Sequence, residues 1–167
     1  MLRERGAKVG GHYREENFRF NGPGKSTRNT TLRLRVLNGG PHGVLTAKGP
    51  AKFDSGVKSR EETEIEVKDV HAAMDMLEQL GFRVGWTYPK RRTVWMLDGV
   101  AVTLDVLDFG HFVELEGPAS ALPEMAKSLG LDPGRALKDS YSVMAKKHQR
   151  AKKPTKSPAT KVAIQPA

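Results

Sequence analysis

The hexapeptide "TLRLRV" (residues 31–36) can bury only one of its faces. As a strand it places Leu32, Leu34 and Val36 on one side and Arg33 and Arg35 on the other, because successive side chains point to opposite faces. The same division recurs along the chain. In "REETEIEV" Arg60, Glu62, Glu64 and Glu66 oppose Thr63, Ile65 and Val67, and in "VAVTLDVL" Thr103 and Asp105 oppose Val100, Val102, Leu104 and Val106. Glu114 and Glu116 oppose Val113 and Leu115, while Thr46 with Lys48, and Lys90 with Arg92, are in phase on their own segments. One strand of this kind describes any antiparallel sheet with a wet face. A solvated face, however, mixes Thr, Lys, Gln, Ser and Glu, whereas here arginine and carboxylate recur at i, i+2 on strand after strand.

If the sheet curls this face inward, Arg33, Arg35, Lys48, Arg60, Lys90 and Arg92 line one tunnel together with Glu62, Glu64, Asp105, Glu114 and Glu116. Such an interior is costly unless ligands, waters and ion pairs satisfy it, so it calls for a densely charged guest. Arginine forks and lysine point charges match phosphate oxygens. Carboxylates in the same space repel a polyphosphate unless a divalent cation lies between, and Mg²⁺ or Mn²⁺ takes a few carboxylate oxygens while keeping sites for phosphate and water. The pattern therefore reads as a triphosphate-and-metal site.

The remaining organisation is a single domain, since 167 residues hold one good core and not two comfortable ones. Strands are expected near 11–20, 30–37, 43–48, 58–68, 83–96, 100–107 and 111–117, with turns at Asn38-Gly39-Gly40, Gly49-Pro50, Asp98-Gly99 and Phe109-Gly110. "DVHAAMDMLEQLGF" predicts a helix capped by Asp69 and ended by Gly81. Further helices are expected near 120–130 and 134–149, and "MLRERGA" reads as the last turn of a helix ending at Gly6. The domain is expected over residues 1–145, followed by a basic disordered tail over 146–167. That tail carries seven of the charges behind the net +9 and no aromatic residue for base stacking, so only weak nucleic-acid attraction is expected from it. The chain has no cysteine, which excludes disulfides and thiolate chemistry and fits a reducing compartment. With no apolar run near the roughly 20 residues of a membrane span and no signal-peptide stretch, a soluble cytoplasmic protein is expected.

Several conspicuous residues read as ordinary. "NGPGKST" is not a phosphate loop: the first glycine of Gly-x-x-x-x-Gly-Lys-Ser/Thr would stand at Arg19, and a strand-like segment follows where a helix is needed. Lys25 and Arg28 then read as solvated loop charges. His12, His42, His71, His111 and His148 lack metal-ligand spacing. Trp86 and Trp95 are expected on one side of their segment, packing there instead of stacking on a base, and Tyr141 either closes the tunnel or packs on the sheet.

The segments "LRLR", "LTAKGP", "KSREETEIEV", "LGF", "KRRTVW", "VTLDVLDFGHFVELEG" and the late "SY", in this order over about residues 1–141, resemble the CYTH superfamily of triphosphate tunnel metalloenzymes, and within it the class IV adenylyl cyclases. The resemblance implies an α+β protein: an eight-stranded antiparallel tunnel with a charged interior and helices packed outside. It implies that Arg33, Arg35, Lys48, Arg60, Lys90 and Arg92 hold phosphates, that Asp105, Glu114 and Glu116 hold Mg²⁺ or Mn²⁺, and that Glu62 and Glu64 line the tunnel. Lys90, Arg92 and Asp105 would carry the catalysis. The implied reaction is ATP to cyclic AMP and pyrophosphate, with hydrolysis of thiamine triphosphate or tripolyphosphate, or noncatalytic binding of polyphosphate or nucleotides, as alternatives; a monomer or homodimer is expected. The family's Glu-x-Glu-x-Lys first strand has no counterpart here, and "LRERGA" matches the end of the helix that follows it, so an absent first strand and weak activity are expected.

Overall fold

The computed structural model describes residues 2–24, 29–54 and 57–152; Lys25, Arg28 and the tail beyond residue 152 lie outside them. A short 3₁₀ turn, Arg3–Arg5, ends at Gly6 in the left-handed conformation that the sequence predicts there. Nine strands follow: β1 (Lys8–Asn21), β2 (Thr31–Leu37), β3 (Gly43–Lys48), β4 (Lys52–Asp54), β5 (Val57–Ser59), β6 (Glu62–Val67), β7 (Arg83–Leu97), β8 (Val100–Leu107) and β9 (Gly110–Glu116). Helix α1 (Val70–Gln79) separates β6 from β7, and α2 (Leu122–Ser128) and α3 (Tyr141–Lys152) follow the strands. The expected α+β class holds.

Seven strands form one antiparallel sheet in the order β6-β3-β2-β1-β7-β8-β9, and β4 pairs with β5 separately. The sheet has one strand fewer than the eight that the resemblance implies, as expected with the first strand absent, and it is not closed: its edge strands β6 and β9 do not pair with each other among the described residues. The long strands β1 and β7 pair over nearly their whole length and form its spine. Tight turns at Asn38-Gly39 and Asp98-Gly99 have both residues at positive φ, which the Asn-Gly and Asp-Gly pairs tolerate.

Two expected elements are divided. The strand near 58–68 breaks at Arg60-Glu61, because β5 turns to β4 while β6 pairs with β3. The helix near 134–149 is a 3₁₀ turn at Pro133–Arg135 followed, after non-helical residues, by α3. The Asp132 carboxylate accepts from Gly134 N at 2.9 Å, a local bond that competes with helix, and glycine itself disfavours one. Helix α3 runs through residues 146–152, the first part of the expected tail.

Apolar faces pack as the alternation dictates. Phe20, Leu34 and Val36 meet Val70 and Leu77 of α1, whose first turn is capped by Asp69 Oδ1 accepting from Ala72 N at 3.0 Å. Leu97, Val100 and Val102 meet Met125 of α2 and Leu129 at its C-cap. Leu34 is 0% exposed, so Leu34→Ala should cost about 2–5 kcal/mol, measured as a shift of the denaturant midpoint without a change in slope.

Candidate functional site

The face opposite these cores gathers the charges. Across β1 and β7 the register sets Tyr13 against Arg92, Glu15 against Lys90, Asn17 against Tyr88 and Arg19 against Trp86. On β8, Asp105 stands opposite Arg92. On the other flank, Arg33 and Arg35 of β2 face Thr46 and Val44 of β3, which in turn face Glu64 and Glu66 of β6.

Asp105 is the focus. Arg92 donates from Nε to Oδ1 and from Nη2 to Oδ2, both at 2.7 Å, a bidentate fork; Lys90 Nζ donates to Oδ2 at 3.0 Å and Tyr141 Oη at 2.8 Å. Arg92 also donates to Glu114 Oε2 and lies 3.8 Å from Glu116 Oε1. Glu15 extends the network: its carboxylate lies 3.3 Å from Lys90 and 3.8 Å from both Arg35 and Arg92. From Arg35 the chain of charges passes to Glu64 at 3.3 Å, which also accepts from Thr46 Oγ1 at 2.7 Å and lies 3.9 Å from Arg33. Lys48 and Glu62 pair at 2.7 Å. Arg60 stands apart, donating to the carbonyls of Gly49 and Lys48 at 2.6 and 3.1 Å.

Burial shows that this is not a solvated face: Glu15 and Asp105 are 1% exposed and Lys90 3%. Part of the cover is α3. Tyr141 reaches Asp105 and lies 5.1 Å from Phe112 and 6.2 Å from Phe109, ring to ring, while Arg19 donates to Ser142 Oγ and Lys90 Nζ lies 5.6 Å from the Tyr141 ring. Tyr141 therefore closes over the charged face.

The electrostatics follow from this packing. Burial alone would push the Asp105 carboxyl up, but the hydrogen bond from Arg92 and the charge of Lys90 overcome it and hold the group below the usual carboxylate range. Burial, reinforced by the charge of Arg92, lowers Lys90 despite Glu15 and Asp105. Burial tends to lower Arg92, yet Asp105 and Glu114 outweigh it and raise the group. Burial also raises the phenols of Tyr141 and Tyr88, aided at Tyr141 by Glu114 and Asp105. A raised phenol contributes stability that is present below its ordinary value near 10 and lost as pH climbs through the folded value. Spectrophotometric titration of the folded chain should accordingly show Tyr88 and Tyr141 ionising above the ordinary phenol range near pH 10.

The structure brings Lys90, Arg92, Asp105, Glu114 and Glu116 into one cluster and Arg33, Arg35, Lys48, Glu62 and Glu64 into its flank. Sequence reasoning missed Glu15, the buried carboxylate joining the two. The signal was present in "YREENFRF", where Tyr13, Glu15, Asn17 and Arg19 alternate with Phe18 and Phe20, but the doublet Glu15-Glu16 conceals which glutamate turns inward. The expectation that Trp86 and Trp95 share a side is corrected: an odd separation puts them on opposite faces, and β7 has no extra residue between them to reverse it, its own irregularity lying outside that span at Gly85. Trp95 packs with the α2 core, whereas Trp86 stacks on Tyr88 at 4.1 Å on the charged face.

Whether these acids suit a divalent cation is decided by their free oxygens. Among the described residues no three His, Asp or Glu side chains stand together as a self-sufficient metal cage. Donors already fill Asp105, which would have to release Arg92 or Lys90 to bind a metal. Glu114 and Glu116 have side chains 38% and 62% exposed and fit the habit of Mg²⁺ and Mn²⁺, which need one or two carboxylates beside phosphate and water. No helix among the described residues is long and apolar enough to cross a membrane.

Comparison with known proteins agrees with this arrangement. A protein of Methanocaldococcus jannaschii named "Putative adenylate cyclase" is 30% identical over 116 residues, 69% of this chain and 66% of its own length, just under two thirds of that relative. The structure of the PH1012 protein from Pyrococcus horikoshii OT3 superposes with a TM-score of 0.73 at 25% identity, over 86% of this chain and 88% of that one. HpAC1 of Hippeastrum, named a "Putative adenylyl cyclase" with a dominant triphosphatase activity, shares the fold at a TM-score of 0.58 and 18% identity, over 82% and 83%. The CYTH domain model matches residues 2–141. By this match, which spans most of its length, the chain belongs to the CYTH domain family.

Proposed function

We propose that the chain acts on triphosphates with Mg²⁺ or Mn²⁺, as an adenylyl cyclase-like enzyme that converts ATP to cyclic AMP and pyrophosphate. The observation that carries the reading is the buried row Arg35–Glu15–Lys90–Asp105–Arg92, in which three cations from two strands, β2 and β7, are held ready on one face. Burial strengthens their action on a guest, because little water screens them.

Arg92 and Lys90 bind and neutralise the phosphates, with Arg33, Arg35 and Lys48 along the flank; Arg60, tied to backbone carbonyls, completes the cationic set at the strand end. Asp105 holds the Arg92 fork and the Lys90 ammonium in place until a phosphate competes for them. Glu114 and Glu116 would hold the metal, with Asp105 joining them once its donors turn to phosphate, and the metal would polarise the phosphoryl oxygens and the attacking ribose hydroxyl. Glu62 and Glu64 keep Lys48, Arg33 and Arg35 extended. Tyr141 excludes water from Asp105, so α3 must yield to admit a substrate.

The reading also draws on the Methanocaldococcus relative's name. Incubation with ATP and Mn²⁺ should yield cyclic AMP and pyrophosphate. ADP and phosphate would instead assign a triphosphatase, and binding without any product would assign a binder.

Glu114→Gln should lower the apparent affinity for Mn²⁺ by about tenfold, in line with the loss of one charged ligand, while leaving the thermal midpoint nearly unchanged at this half-exposed position. Metal titration of activity, paired with a melting curve, reads both quantities.

A further inference from the structure

A second cationic row lies on the opposite side of the same strands. Arg14 on β1 stands directly across from Arg91 on β7, Arg91 from Val106 on β8, and Val106 from His111 on β9. These residues, with Pro89 and Asp108, line a depression of about 430 Å³. Lys90 also contributes to the lining, but because β7 alternates sides the Arg91 side chain points away from those of Lys90 and Arg92, so the arginine pair itself stands on the face opposite the triphosphate site.

Directly opposed residues on an antiparallel pair have Cβ atoms about 5 Å apart, and like charges so placed destabilise a sheet. The arginines of the other face answer that cost with carboxylates, since Arg33, Arg35 and Arg92 each have one within 4.0 Å. Among the described residues the guanidinium groups of Arg14 and Arg91 have no ion pair or hydrogen bond of their own, and both residues are exposed. Asp108 is the one carboxylate on the lining and offsets a single charge.

We propose that this depression is a binding site for a phosphate-bearing anion, a phosphate ester or pyrophosphate. Two adjacent guanidinium forks suit the oxygens of one phosphoryl group, His111 offers a third polar contact, and Pro89 and Val106 supply an apolar wall. Asp108 weakens the site at a distance, as a like charge to the ligand.

The test follows the ring resonances of His111, assigned by loss in His111→Gln, while pyrophosphate or adenosine monophosphate is added to the whole chain. Both should move the His111 signals saturably, and the tighter of the two identifies inorganic or organic phosphate as the source. The Arg14→Gln/Arg91→Gln pair should weaken binding by about tenfold or more, as expected for losing charge-assisted hydrogen bonds, and Asp108→Asn should tighten it. If the double variant does not fold, the single variants at these exposed positions carry the same expectation. His111 signals that stay unmoved to about 10 mM ligand, or arginine variants that bind within about twofold of the native chain, overturn the proposal.

Discussion

Arg92→Ala should reduce turnover of the triphosphate substrate by about 10²–10³-fold, the usual consequence of removing one preorganised donor from a developing charge. Arg92 is the only side chain that touches Asp105, Glu15, Glu114 and Glu116 at once among the described residues. Its loss also leaves Asp105 with fewer counter-charges, so the comparison that isolates chemistry is Arg92→Lys. Lysine keeps the charge and loses the fork, and should recover stability more fully than rate. Turnover and melting curves measured on both variants would test this; equal recovery of the two would mean that Arg92 only holds the fold.

The largest effect on stability is expected from Asp105→Ala. Removing one member of a buried charge network leaves the partners uncompensated and costs about 3–5 kcal/mol, here Lys90 and Arg92, whose remaining carboxylates are Glu15, at 3.3 and 3.8 Å, and the more exposed Glu114 and Glu116. For a domain of this length that corresponds to a fall in Tm of about 10 °C. The pH dependence has a definite sign. A carboxyl held below its ordinary value contributes stability that is present above about pH 4 and lost as pH falls through the folded value. The gap between native and variant Tm should therefore be full at neutral pH and shrink in acid. A gap that widened in acid would contradict the pairing.

These two residues also show what alternation reveals and what it conceals. Period two along "KRRTVW" and "VTLDVL" is enough to set Lys90, Arg92 and Asp105 on one face, since a strand offers only two sides. It is also enough to put Leu34 and Val102 in the cores behind it. Alternation does not say which residue opposes which, so the Glu15 bridge between Lys90 and Arg35 depends on the β1–β7 and β1–β2 registers that only the folded sheet fixes. Nor does a local pattern report closure. The tunnel architecture is expected from resemblance, and only the folded sheet shows that β6 and β9 are its edges among the described residues and that its charges lie partly beneath α3. Tyr141 illustrates the same limit: its contact with Asp105 joins residues 36 positions apart, and no spacing rule connects them.

The claim on which the account rests is that the buried cations serve a polyphosphate and are not merely a structural ion-pair network. Calorimetric titration with tripolyphosphate, with and without Mn²⁺ and at two salt concentrations, addresses it directly. The account predicts saturable binding at the charged face that weakens with salt and is lost in an Arg35→Ala/Lys90→Ala chain shown to be folded. No saturable heat at millimolar tripolyphosphate, or heat that the double variant retains in full, would contradict it.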